Sequence, residues 1–116
     1  MLRQMLKSKI HMATVTETVL EYEGSIGPDR QLIEAANLLP LEKVQVANVN
    51  TGERLETYVI EAPSGSGTVS LNGAAARMAQ RGDRVIVMGF CLIDDREARD
   101  WKPAIVFVDD RNKLKR

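Results

Sequence analysis

Cysteine and histidine each occur once among the 116 residues, as Cys91 and His11. A lone thiol excludes an internal disulfide, and neither residue has a second Cys or His with which to build a metal site. Cys91 falls in the apolar run Val85–Ile93 and reads as a buried core thiol. That run is the longest of its kind, yet it falls well short of the roughly 20 residues that a bilayer span requires. Charge of one sign is also lacking. The 16 basic and 16 acidic residues cancel, which leaves no net field to draw the chain to nucleic acid or a membrane surface. Lysine and arginine do gather in Met1–Lys9 and Arg111–Arg116, where they read as solvated termini. No apolar stretch follows the first basic residues, so they do not read as a secretory signal, and the expected location is the cytoplasm.

What remains is ordinary for a small folded domain, with 44% apolar and 28% charged residues. Period-two alternation and β-branched residues predict strands over Lys9–Val19, Lys43–Asn48, Leu55–Glu61, Thr68–Leu71, Arg84–Leu92 and Ala104–Val108. Turn chemistry separates them at Gly27-Pro28-Asp29, Asn50-Thr51-Gly52, Pro63–Gly67 and Arg81-Gly82-Asp83. One short helix is predicted after Asp29 as its cap, with Leu32, Ile33, Ala36 and Leu39 on one side and Pro40 as its stop. A second starts at Ala74-Ala75-Ala76 with Asn72 as cap and Gly82 past its end, and a third turn is expected in Asp94–Asp100. Many short strands with frequent turns indicate a mainly β fold, a closed or nearly closed barrel with two or three short helices. Without repeats or linkers, residues 1–116 are expected to form a single domain.

Three places could carry chemistry. The first is Gly24-Ser25, placed between a strand-like segment and a turn. A serine hydroxyl can attack the preceding carbonyl and convert the amide to an ester, and glycine's backbone freedom eases the geometry. β-Elimination would then free a chain ending at Gly24 and leave Ser25 as an N-terminal pyruvoyl group. Gly-Ser pairs are also common in plain turns. The second place is Arg54–Ile60, where alternation puts Arg54, Glu56, Tyr58 and Ile60 on one face and Thr57 on the other. Arg54 could grip a carboxylate beside a phenol able to donate a proton, or it could form a surface pair with Glu56 beside a packed tyrosine. The third is Gly65–Ala76, whose end offers small residues and free backbone N–H groups to an anion, or simply a tight capped turn. Lys9 and His11 share a strand face, as a carboxylate anchor and neighbour or as solvated polar residues.

Taken in order, these pieces resemble the bacterial aspartate 1-decarboxylases. The resemblance runs over nearly the whole chain, through Lys7-Ser8-Lys9-Ile10-His11, Ala13-Thr14-Val15-Thr16, Tyr22-Glu23-Gly24-Ser25, Asn72-Gly73-Ala74-Ala75-Ala76, Gly82-Asp83, Asp94-Asp95 and Phe107-Val108-Asp109. It implies a double-psi β-barrel assembled as a homotetramer with active sites between subunits. It implies self-cleavage into residues 1–24 and 25–116, a pyruvoyl cofactor derived from Ser25, and decarboxylation of L-aspartate to β-alanine for pantothenate synthesis, with no metal. It also implies roles: Ser25 as the Schiff-base carbonyl, Tyr58 as proton donor, and Arg54 and Lys9 on the substrate carboxylate with the backbone of Gly73, Ala74 and Ala75. Thr57 and Asn72 would organise cleavage and binding, and His11 and Tyr22 would line the pocket. A maturation factor is a further partner the resemblance leaves room for. The chain departs from the family pattern at Ala47, where many relatives carry an aromatic, at Gly27-Pro28, and at Arg77, which replaces a frequent histidine.

Two other functions fit the same residues. One is a non-enzymatic β-barrel oligomer that binds a small acidic ligand or a protein, with no chemistry at Ser25. The other is a pyruvoyl enzyme for a different amino acid, against which Arg54 argues because it calls for a second carboxylate.

Overall fold

The computed structural model describes residues 1–115; Arg116, the last of the basic C-terminal residues, lies outside them. Among the described residues eight strands form two sheets. The larger has the order β5 (Arg54–Tyr58), β4 (Lys43–Asn48), β7 (Arg84–Asp94), β1 (Leu2–Thr14), β8 (Ala104–Phe107), and the smaller has β2 (Glu17–Val19), β6 (Val69–Asn72), β3 (Ser25–Pro28). Isolated bridges at Ile26–Val59 and Asp29–Ala62, with the Thr16 N–H donating to the Val69 carbonyl, stitch one sheet to the other. The sheets are not hydrogen-bonded into a continuous cylinder. A mainly β chain with three short helices, consistent with a double-psi β-barrel, is the expected class. Among the described residues no helix is long and apolar enough to cross a membrane.

Alternation in the larger sheet sorts its residues onto two faces. Ile10, Val44, Val46, Val85 and Val87 point inward and join Ile26, Leu32, Ile33, Val59, Val69 and Leu71 in the core. Helix α1 (Arg30–Ala35) closes one end of that core with Leu32 and Ile33. Asp29 caps it, its carboxylate accepting from the Gln31 N–H at 2.8 Å.

Several expectations need correction. Helix α1 stops before Pro40 because Asn37 takes a left-handed φ of 57°. The Leu38 N–H donates back to the Ile33 carbonyl and the Asn37 N–H to Glu34, a Schellman closure. Leu38 thereby enters the core and Leu39 is left outside. Gly27-Pro28 is not a turn but the buried second half of β3, paired with Ser70 and Val69. The basic N-terminus is not a solvated tail: β1 begins at Leu2 and pairs with β7 along its length, bulging twice before Ala13. Cys91 lies where the β1–β7 arm outruns the core, opposite Met5, and is half-buried rather than buried. The segment after Asn72 is a single 3₁₀ helix, Gly73–Met78, and Asn72 makes no cap hydrogen bond to it. The third turn falls where expected, as helix α2 (Asp95–Ala98).

Candidate active site

Ser25 opens β3 and is almost entirely buried. Its partner in β6 is Asn72, and the two side chains meet: Asn72 Nδ2 donates to Ser25 Oγ at 3.0 Å. Ser25 Oγ in turn donates to the Glu23 carbonyl at 3.3 Å. The other end of the amide is occupied as well, since Ser70 Oγ donates to Asn72 Oδ1 at 2.6 Å. This explains why Asn72 caps nothing: both of its polar atoms are engaged across β6 and β3.

The backbone before Ser25 rests on Gly73. A Cβ placed on Gly73 would stand 2.7 Å from Gly24 N, Gly24 Cα and the Tyr22 carbonyl, and its φ of +63° is one that side-chain-bearing residues avoid. Only glycine lets Tyr22–Gly24 lie this close. The far end of β3 is tied down by Asp29. Its carboxylate accepts from Gly65 N–H at 3.0 Å and Gly67 N–H at 2.9 Å in addition to Gln31. Burial works to raise the Asp29 carboxyl, but the N–H groups of Gly67, Gln31 and Gly65 and the Lys113 ammonium outweigh it and hold it below its ordinary value.

A cavity borders these elements, and a second lies apart from them. One, of about 350 Å³, is lined by Tyr22, Gly27, Ile60, Ser70 and Asn72 together with Glu17 and Glu61. The other, of about 380 Å³, lies on the outer face of the larger sheet among Gln4, Lys43, Gln45, Glu56 and Phe90.

Four of the remaining sequence-selected residues fall on that outer face. The register Glu56–Gln45–Met88–Lys9 runs straight across four strands, and paired residues project to the same side. Arg54, Tyr58, Lys9 and His11 therefore share one face, as alternation indicates within each strand. Thr57, paired with Val44, points to the core side. Glu56 pairs with Lys43 at 3.2 Å, not with Arg54. His11 packs edge-on against Phe107 with ring centroids 5.6 Å apart, and its Nδ1 has no partner among the described residues. Tyr58 borders the serine junction, because Val59 bridges Ile26 and so each of Tyr58 and Ser25 lies one residue from a bridged pair. Lys9 and His11 stand on β1, three strand spacings, about 14 Å along the sheet, from β5. Ala47 sits on the same outer face, opposite Arg54 and Ile86. Period two on β6 sets Ser70 on the same side as Asn72, the one sequence signal for its place in the site.

The fold and this junction define a small mainly β protein of double-psi-barrel type, organised around a buried serine that follows a glycine in tight backbone contact. Residues 1–115 match the sequence model of the Aspartate decarboxylase family. The chain is 60% identical over 114 residues to the aspartate 1-decarboxylase of Caldicellulosiruptor saccharolyticus, covering 98% of this chain and 89% of the other. It is 56% identical over 115 residues to that of Syntrophus aciditrophicus, covering 99% of each. It is also 56% identical over 110 residues to that of Carboxydothermus hydrogenoformans, covering 95% and 87%. The chain belongs to the aspartate decarboxylase family.

Proposed function

We propose that this protein cleaves itself between Gly24 and Ser25 and then decarboxylates L-aspartate to β-alanine and CO2, supplying pantothenate synthesis. The observation that carries the reading is Ser25 Oγ, buried and held by Asn72 Nδ2 and the Glu23 carbonyl beside a glycine that rests on Gly73. Residues 1–116 act as one domain, processed into 1–24 and 25–116.

In the first step Ser25 Oγ bonds to the Gly24 carbonyl carbon, the Gly24–Ser25 amide bond breaks, and the hydroxyl proton passes to the Ser25 nitrogen. Removal of the Ser25 Cα proton and rupture of Cβ–Oγ then release Gly24 as a carboxylate. The dehydroalanine left behind takes up water and loses ammonia, which yields the pyruvoyl ketone. The Asn72 donor serves both stages, because the Oγ it contacts first loses its proton and later departs as a carboxylate oxygen.

The pyruvoyl group supplies a ketone beside an amide carbonyl, which accepts the electron pair left when the substrate carboxylate departs as CO2. Arg54 and Lys9 hold substrate carboxylate, with the backbone of Gly73, Ala74 and Ala75 alongside. Tyr58 returns a proton, Thr57 helps organise cleavage, and His11 and Tyr22 line the pocket. Lys9 and His11 stand three strands from β5 within one protomer, an arrangement that suits a homotetramer whose outer sheet face meets the serine junction of a neighbour. The half-exposed Ile105 and Phe107 beside Lys9 and His11 suit such a contact. The cytoplasm is the proposed location.

Intact mass under denaturing conditions tests the reading, before and after incubation and beside Ser25→Ala. Two fragments splitting after Gly24, with CO2 release from aspartate but not glutamate, are expected. A chain that stays whole and releases no CO2, even with cell extract added to supply a maturation factor, would favour a non-enzymatic barrel.

A further inference from the structure

We propose that Ser70 is a positioning residue for self-cleavage: its hydroxyl fixes the orientation of the Asn72 amide so that an N–H, not a carbonyl oxygen, faces Ser25 Oγ. The inference rests on the cleavage proposed above. Ser70, Asn72 and Ser25 are each at least nine-tenths buried and hold one another in a chain of hydrogen bonds, with Ser70 and Asn72 also facing the 350 Å³ cavity.

The orientation follows from counting protons. A serine hydroxyl has one to donate, and an asparagine amide has a donor end and an acceptor end. Ser25 gives its proton to the Glu23 carbonyl, so its Oγ is free to accept from Asn72. The Ser70 proton has Asn72 Oδ1 as its acceptor, at 2.6 Å. Turning the amide over would hand the Ser25 proton to Asn72 Oδ1, strip the Glu23 carbonyl of its donor, and leave the Ser70 proton without an acceptor. Ser70 therefore weights the balance toward the state in which a donor meets the reacting oxygen. Without that hydroxyl only the Ser25–Glu23 bond separates the two amide orientations, so the flipped one gains population, and it opposes the charge that builds on Oγ in both stages of cleavage.

The experiment is a double-mutant cycle on the cleavage rate, followed by intact mass for the wild type, Ser70→Ala, Asn72→Ala, the double variant and Ser70→Thr. Circular dichroism and thermal melts confirm that each chain folds. Ser70→Ala should cleave about tenfold more slowly than the wild type, and Ser70→Thr, which keeps the hydroxyl, within about threefold of it. In the Asn72→Ala background, Ser70→Ala should cause no further change, because its effect passes through the amide. A Ser70→Ala chain that cleaves at the wild-type rate overturns the inference. So does an equal slowing with and without Asn72, or a Ser70→Thr chain as slow as Ser70→Ala. A wild-type chain that never cleaves refutes instead the reading beneath it.

Discussion

Gly73 supports Gly24 through backbone contact alone: a single methyl on Gly73 would lie 2.7 Å from Gly24 N and Cα. Alanine there meets two penalties. Its φ of +63° costs a side-chain-bearing residue about 1–2 kcal/mol, and the clash falls on main-chain atoms that cannot swing aside. We expect Gly73→Ala to lower stability in urea by more than about 2 kcal/mol and to leave the chain uncut. Gly52→Ala is the control. Its φ of +81° is similar, but nothing lies within 4 Å of the added carbon, so it should show only the conformational cost and cleave normally. Equal behaviour of the two variants would remove the contact from the account of the junction.

Asn72 and Gly27-Pro28 show where local sequence logic gives out. Asparagine before a glycine and three alanines is a good helix cap by propensity, but burial beside Ser25 and Ser70 engages both ends of its amide. Gly27-Pro28 carries turn chemistry, yet β6 pairs with it and the core encloses it, so tertiary contact overrides propensity. The common face of Arg54, Glu56 and Tyr58 was legible because strand alternation is local. That Lys9 and His11 join the same face was not, since it depends on the pairing order β5-β4-β7-β1, which no short window contains.

Arg54 tests whether substrate binding separates from processing. It lies on the outer sheet face, away from the core, while Ser25 is held by β6. Arg54→Ala should therefore cleave at Gly24-Ser25 normally while raising KM for aspartate at least tenfold. Lysine at the same position should restore little, because a point charge cannot reproduce a bidentate grip on a carboxylate. Loss of cleavage in Arg54→Ala would instead place the guanidinium in maturation.

Asp29 gives the fold an acid-side dependence of known sign. Its carboxyl is held below the ordinary 3.8 in the folded chain. The stabilisation it provides is thus complete above about pH 4 and fades as pH falls through the lower folded value. Asp29→Asn keeps a helix cap but presents an N–H where Gly67 needs an acceptor. It should cost about 2 kcal/mol at pH 7, and the gap to the wild type should narrow in urea melts carried out at successively lower pH. A gap independent of pH would show that the carboxylate charge contributes nothing.

Phe107 tests whether the outer face is a meeting surface. It is about half exposed (54%) and touches His11 edge-on, so Phe107→Glu should cost the isolated protomer only about 1 kcal/mol. In an assembly the same carboxylate would be buried against a neighbour, where an unpaired charge is far more costly. We therefore expect Phe107→Glu to shift sedimentation from the assembled to the protomer mass and to abolish decarboxylation. The two losses should coincide if, as proposed, Lys9 and His11 reach a serine junction across a subunit boundary. A Phe107→Glu protein that sediments as single protomers yet releases CO2 at the wild-type rate would show that one chain holds everything the reaction needs, and Lys9 would then have no part in it.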